Sequence, residues 1–280
     1  MAADDSDSNA APPLQEGRPL QLEQVQNGLG TERLGRKFHY FFELDSTNLH
    51  ARGLAERGAA DGEIVIAEQQ SRGRGRSGRV WVSPPYVNLY FSVVLRPKLR
   101  PQDAPQITLT AAVALAEAVD AFSPTPSVIK WPNDILIDGR KLAGILVEAS
   151  STADRVDYLI LGIGINLNFP LESMPPGIRE RATSLLALRR QSVNREAFLR
   201  RLIQDLDRCY GTLEDCGFGA IAPRWQSRFG LKGKRVRVEI LEEVFFGTVT
   251  GIDPQGALIL RGEDGKLQRV IAGDVIPSPG

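Results

Sequence analysis

Residues 67–81 read AEQQSRGRGRSGRVW, with four arginines (Arg72, Arg74, Arg76, Arg79) and three glycines (Gly73, Gly75, Gly78) crowded into eight residues. Such a stretch does not pack into a core. Glycine lets a ligand approach the main chain, and arginines two apart place their guanidiniums on one side of an extended segment, which makes an anion clamp. Taken alone, an Arg/Gly run reads first as a solvated basic loop or a nucleic-acid patch. Its flanks alter that reading. Residues 63–67 (EIVIA) have the composition of a strand, and in 87–95 the alternation of Val87, Leu89, Phe91, Val93 and Leu95 predicts a second, half-buried strand. A basic loop held between two core strands covers a site.

The chain has 280 residues, 42% of them hydrophobic, enough for one large core with a small appended domain. Its 34 basic residues balance its 34 acidic ones, which argues against a surface built throughout for nucleic acid. Two cysteines, Cys209 and Cys216, fall on a helical pattern and form no metal-type pair, which fits reduced thiols in the cytoplasm. No metal-ligand cluster is visible. The acidic, polar start is unlike a signal peptide, and no apolar run approaches the roughly 20 residues needed to span a bilayer.

Residues 1–36 are rich in Asp, Ser, Asn, Pro and Gln and read as a mostly disordered arm with one short helix near 20–25. Removing the first 35 residues is expected to leave activity within a few fold. A strand (37–43) follows, then a helix in 44–57 that Asp45, Ser46 or Thr47 can cap. A longer apolar-sided helix is predicted over 104–122, then a strand at 127–131 that Pro132 ends. Asp138-Gly139 is a hairpin signal, so Lys141 opens the return strand. In 158–168 the odd positions Leu159, Leu161, Ile163, Ile165 and Leu167 are all large and apolar, while the even ones include Gly162, Gly164, Asn166 and Asn168. One face packs and the other is hollow: a bulge, a close helix contact, or space for a ligand. Residues 169–191 read as a long loop, and Asn194 as the cap of a helix reaching about 213. From 231 onward, short strands with tight turns predict a small barrel.

GRGRSG, then KWPND (130–134), KLAGILVE (141–148) and GIGINLN (162–168) together resemble the biotin protein ligase family, over residues 37 to the end. The resemblance implies an α+β fold: a mixed-sheet biotin/lipoate ligase-type catalytic domain with helices packed on it (37–230) and a small SH3-like β-barrel (231–280), after the arm of 1–36. It implies that biotin is activated by ATP, with Mg2+, to biotinoyl-5'-AMP and passed to a lysine of a biotin carboxyl carrier protein. By motif position Lys141 and Arg76 are the catalytic residues. Biotin would meet Ser46, Thr47, Asn48, Gln70, Arg74, Gly75, Arg76, Lys141 and Gly144, and ATP would meet Arg76, Trp81, Asn133, Lys141 and Asn166, with no protein metal site. Arg72 stands where the family commonly has a small residue.

Alone, Ser46, Thr47 and Asn48 read as helix capping, Lys141 as a solvated strand end and Trp81 as core. Two further readings stay open. Lipoate or octanoate transferases resemble these ligases in fold and also acylate a carrier lysine, although GRGRSG and the barrel favour biotin. A biotin-responsive regulator would bind DNA through an N-terminal winged helix-turn-helix, which the short polar stretch before the first strand does not match. The expectation is therefore a cytoplasmic ligase, monomer or homodimer, without DNA or membrane partners.

Overall fold

Two sheets form because the hydrophobic period stays near 2 through most of the chain, and helices intervene where it shifts to 3.6. The computed structural model describes residues 17–240 and 243–277. In chain order come α1 (Leu22–Gln26), β1 (Phe38–Leu44), α2 (Thr47–Glu56), β2 (Ile64–Gln70), β3 (Leu89–Leu95), α3 (Pro105–Asp120), β4 (Val128–Lys130), β5 (Asp134–Ile137), β6 (Arg140–Ser151) and β7 (Val156–Ile165). Then follow α4 (Pro176–Arg179), α5 (Leu185–Arg189), α6 (Arg195–Cys216), α7 (Ala222–Ser227), β8 (Arg235–Ile240), β9 (Glu243–Ile252), β10 (Leu258–Arg261), β11 (Leu267–Val270) and β12 (Asp274–Pro277). Seven strands form a mixed sheet in the order β1-β2-β3-β7-β6-β5-β4, with only β1 and β2 parallel, joined through α2. Five make an antiparallel sheet, β11-β10-β9-β8-β12.

The core lies between one face of the large sheet and helices α3 and α6, where Phe91, Leu161, Ile163, Leu115 and Phe198 are buried. On the opposite face α2 packs Ala51 and Ala55 against Val65, Val94 and Ile160. That second layer corrects the expectation for β3. Every residue from Leu89 to Leu95 is buried, because α2 covers one side of the strand and α3/α6 the other.

The two sheets meet through side chains of the large domain. Trp131 Nε1 donates to the carbonyl of Gly256 at 3.0 Å, and Gln106 Nε2 donates to that of Pro254 at 3.0 Å. The turn of 253–256 is thus seated on α3 and on the end of β4.

The expected disordered arm is corrected for residues 17–36; the first sixteen lie outside the described residues. Leu20, Val25, Leu29 and Leu34 are buried in the main core. Asp207 on α6 accepts from the backbone N–H groups of Glu32, Arg33 and Leu34 at 2.8 to 3.0 Å. Deeper in, Glu68 accepts from Leu20 N at 2.6 Å, from the Tyr40 hydroxyl at 2.8 Å and from Arg195 at 2.8 Å. Burial pushes the Glu68 carboxyl up, but the Arg195 guanidinium and the donated hydrogen bonds outweigh it and hold the pKa below its ordinary value. The polar composition hid three well-spaced leucines and a valine that α6 requires as cover, so removing residues through Gly35 removes core, and the few-fold expectation falls.

Leu34→Ala is accordingly expected to lower the unfolding free energy by about 2–5 kcal/mol, as for truncation of a buried leucine. Urea unfolding measures it, and wild-type stability would mean that this segment only lies against α6.

Candidate functional site

The hollow face foreseen in residues 158–168 exists, and its cause is the cross-strand register. Gly144 of β6 is paired with Gly164 of β7, and Gly162 with Leu146 on one side and Ser92 on the other. On this face β7 runs from Ile160, packed under α2, to two positions without side chains. A Cβ at Gly164 would lie 2.6 Å from the Trp81 indole, and one at Gly162 would strike the Asn48 amide. Above this floor is a cavity of about 770 Å3.

One wall is the start of α2. Ser46 holds the N-cap position, but its side chain makes no capping bond. Instead the trio turns inward. Gln70 Oε1 accepts from Thr47 N at 2.9 Å, and Gln70 Nε2 donates to Ser83 Oγ at 3.1 Å. Asn48 Nδ2 donates to Glu148 Oε2 at 2.8 Å, while the Ser92 hydroxyl donates to Asn48 Oδ1 at 2.7 Å. Asn48 and Ser92 are both buried.

The opposite wall is the Arg/Gly segment, folded as a tight loop in which Arg74 bridges Val80 and Gly75 N donates to Arg79 O at 2.7 Å. Arg74 lies 3.2 Å from Glu148. Arg76 donates to Asn133 Oδ1 at 3.0 Å and to the Gly273 carbonyl at 3.3 Å, and Arg79 pairs with Asp274, so the loop is clasped by both sheets. Burial is the largest influence on Arg76 and shifts its pKa below the ordinary value, with Asp274 and Asp134 opposing the shift.

Lys141 enters between the walls. Asp138 (φ 50°) and Gly139 (φ 75°) form the tight turn of the β5–β6 hairpin, with Lys141 just past it. Its backbone N donates to Arg181 O at 2.8 Å and its carbonyl accepts from Thr183 N at 2.9 Å. Its ammonium lies 2.6 Å from Asp134 Oδ1 and 5.3 Å from the Trp81 ring centroid. The contact to Asp134 is a close ion pair without hydrogen-bond geometry, since Oδ1 makes no hydrogen bond.

The expected long loop over 169–191 is replaced by compact structure. Phe169, Met174 and Ala182 form a small core with Val82, Val87 and Ile178, and Ser184 caps α5 by accepting from Ala187 N. Asn166 Nδ2 donates to Thr183 O at 3.2 Å and so ties this strap to the end of β7. Apolar residues spaced two to four apart among the prolines, Phe169, Leu171, Met174 and Ile178, were the available signal.

The structure brings every residue singled out from the sequence, from Ser46 to Asn166, to the lining of this one cavity. Trp81, expected beside adenine, lies over Gly144 and Gly164. Sequence reasoning missed Ser92, Asp134 and Glu148. Ser92 is a lone hydroxyl in an apolar strand, and the other two lie within quoted motifs. A site that gathers Arg74, Arg76 and Lys141 with the Trp81 ring and with donors and acceptors at the start of α2 can hold a molecule with an anionic end and a neutral, hydrogen-bonding head. Among the described residues no group of three or more His, Cys, Asp or Glu is placed to hold a metal, and no helix is long and apolar enough to cross a membrane.

Residues 41–166 match the biotin/lipoate A/B protein ligase family, and 232–276 match the biotin protein ligase C-terminal domain. The chain is 35% identical over 256 residues to the bifunctional ligase/repressor BirA of Bacillus spizizenii, covering 91% of this chain and 78% of that protein. It is 33% identical over 271 residues to the biotin--[acetyl-CoA-carboxylase] ligase of Mycobacterium tuberculosis, covering 95% and 96% of the two chains. The biotin protein ligase of Aquifex aeolicus solved with biotin and ATP superposes with a TM-score of 0.75 at 26% identity, over 87% of this chain and all of that one. Motifs, cavity and relatives converge, and the chain belongs to the biotin protein ligase family.

Proposed function

We propose that this cavity activates the carboxylate of biotin with ATP and delivers the biotinoyl group to a lysine of a biotin carboxyl carrier protein. The observation that carries this reading is the placement of cations from separate segments, Arg74 and Arg76 on the loop and Lys141 on β6, around one glycine-floored cavity. A carboxylate is a poor acylating agent because it has no good leaving group. Attack of its oxygen on the α-phosphorus of ATP forms a P–O bond as pyrophosphate leaves, giving biotinoyl-AMP. The acceptor lysine's neutral amine then attacks the carbonyl carbon, AMP leaves, and the new amide loses a proton.

The first step brings two anions together. At about 4 Å two like charges repel by roughly 4 kcal/mol at an effective dielectric near 20, so cations must stand between them. Lys141 and Arg76 are assigned that role. Lys141 is held by two sheet-like backbone bonds to Arg181 and Thr183, so its ammonium needs little reordering. Arg74 and Gly75 complete the clamp around the carboxylate, and Ser46, Thr47, Asn48 and Gln70 take the ring system at the start of α2, with Gly144 giving close backbone approach. Trp81, Asn133 and Asn166 are assigned to the nucleotide side, and the loop excludes water from the mixed anhydride.

Magnesium bound with ATP would supply charge neutralisation at the phosphates. Asp134 would be the carboxylate to hold it once an arriving phosphate takes Lys141 from that side chain, since a hard cation binds through one or two carboxylates plus phosphates.

Pyrophosphate release should occur with biotin and not with lipoate or octanoate offered in its place; turnover with lipoate alone would reassign the substrate. Lys141→Ala should slow adenylate formation by about a hundredfold to a thousandfold with a modest loss of biotin affinity, as for removal of one preorganised contact to transition-state charge. Single-turnover kinetics of the two half-reactions test this, and an unchanged adenylation rate would leave Lys141 a solvated strand end. Arg76→Gly should still make biotinoyl-AMP but release it, so that exposed lysines on unrelated proteins become labelled; full retention of the intermediate would show that the loop is no lid.

A further inference from the structure

We propose that Glu148 is a positioning residue that decides which end of the Asn48 amide faces the cavity, and thereby makes the site selective for a ligand head carrying N–H donors. The inference rests on the biotin reading of the site.

An asparagine amide is nearly symmetrical in shape, so only its neighbours dictate whether the oxygen or the NH2 group points a given way. Three groups surround Asn48. The Ser92 hydroxyl lies 2.7 Å from Oδ1 and 2.8 Å from the Thr47 hydroxyl, and since it can donate to one and accept from the other it is satisfied by either orientation of the amide. The Leu146 carbonyl accepts from Nδ2 at 3.3 Å, a long contact. Glu148 Oε2 accepts from Nδ2 at 2.8 Å, and an ionised carboxylate can only accept. A flipped amide would set its oxygen against that carboxylate. Glu148 therefore holds the NH2 group toward β6 and the oxygen over Gly162, the position where a Cβ would collide with Asn48 and where the floor opens to the cavity.

The carbonyl oxygen has two lone pairs, and Ser92 uses one. The other is available to a ligand N–H. A cyclic urea offers such donors, whereas a cyclic disulfide or an alkyl chain offers none, so a fixed acceptor at this point discriminates among acids with similar tails. A site built to hydrogen-bond one head group rejects analogues lacking it because its own buried polar atom is left unpaired. Glu148 is itself steadied by Arg74 at 3.2 Å and Arg52 at 3.4 Å, so the carboxylate that orients the head-group acceptor also pairs with an arginine assigned to the tail.

The test compares Glu148→Ala with Glu148→Gln in the full chain, reading KM for biotin, KM for ATP and kcat by pyrophosphate release. Glutamine keeps the shape but loses the charge, and with Arg74 and Arg52 holding its oxygen it turns its NH2 group toward Asn48, removing the acceptor that fixes the amide. Glu148→Ala should raise the biotin KM by roughly tenfold to a hundredfold, the effect of leaving one buried polar group unpaired, with kcat and the ATP KM within about threefold. Glu148→Gln, nearly isosteric and expected to fold, should raise the biotin KM to a similar extent, and neither variant should raise it further in an Asn48→Ala background, where there is no amide to orient. If the glutamine variant keeps the wild-type biotin KM, or raises it as much in the Asn48→Ala background as in the wild-type chain, charge or packing at Glu148 matters rather than the amide orientation, and the inference is overturned. An alanine variant with an unchanged biotin KM, or with kcat and both KM values affected alike, overturns it too. Failure of the wild-type chain to release pyrophosphate with biotin would sink the underlying reading instead, so the two failures are distinguishable.

Discussion

A strand that must bury one face and leave the other empty governs this molecule. β7 places Leu159, Leu161, Ile163 and Ile165 in the core against α3 and α6, and a residue's worth of rotation would turn all four out at once. The register is therefore fixed from below, and the upper face inherits whatever lies at the even positions. Those are Gly162 and Gly164, with Gly144 paired beside the latter. Three side chains are missing from one patch of an otherwise filled sheet. Glycine interiors weaken strands, so such a patch persists only because the buried odd face is strong enough to hold it.

The charges around that patch are already paired. Arg74 faces Glu148, Lys141 faces Asp134 and Arg79 faces Asp274, while Arg76 donates to the neutral oxygens of Asn133 and Gly273. Arg74, Lys141 and Arg79 are partly exposed while Glu148 and Asp134 are more deeply set, so the pairing chiefly lowers the cost of burying those carboxylates. An arriving anion then exchanges one partner for another instead of meeting a bare charge. Arg76 is the exception: neutral oxygens are its direct partners, and it is the cation whose pKa burial depresses. It gains most from an anionic ligand.

What was legible in the sequence follows from range. The glycine alternation, the Asp138-Gly139 turn and the Asn194 cap are local, and the structure keeps them, with Asn194 accepting from Ala197 N. The burial of β3 on both faces was not local, because α2 reaches it from elsewhere in the chain. Nor was the packing of residues 17–36, whose partner α6 lies some 170 residues away in sequence. Composition called that segment an arm because spaced leucines between polar residues carry no period of their own until a helix supplies the surface. The same limit hid Ser92 and Glu148, whose partners Thr47, Asn48 and Arg74 lie far from them in sequence. The motifs pointed to the residues lining the cavity but not to those that orient them.

The stretch from Lys130 to Asp134 shows why one motif can be so dense. Trp131 is buried and reaches across to Gly256, seating the small sheet on the large one. Two residues on, Asn133 donates from Nδ2 to Ile145 O at 2.7 Å and accepts Arg76 on Oδ1, and Asp134 faces Lys141. Arg76 in turn reaches Gly273 on the small sheet. The Arg/Gly loop is thus tied to the large sheet through Asn133 and to the small one through Gly273 and Asp274, and the same pentapeptide joins the two sheets. Loop movement alone cannot release what lies beneath it without breaking contacts at both attachments. For a reactive anhydride that water would destroy, a lid fixed at both ends protects better than a loop anchored only by its own backbone.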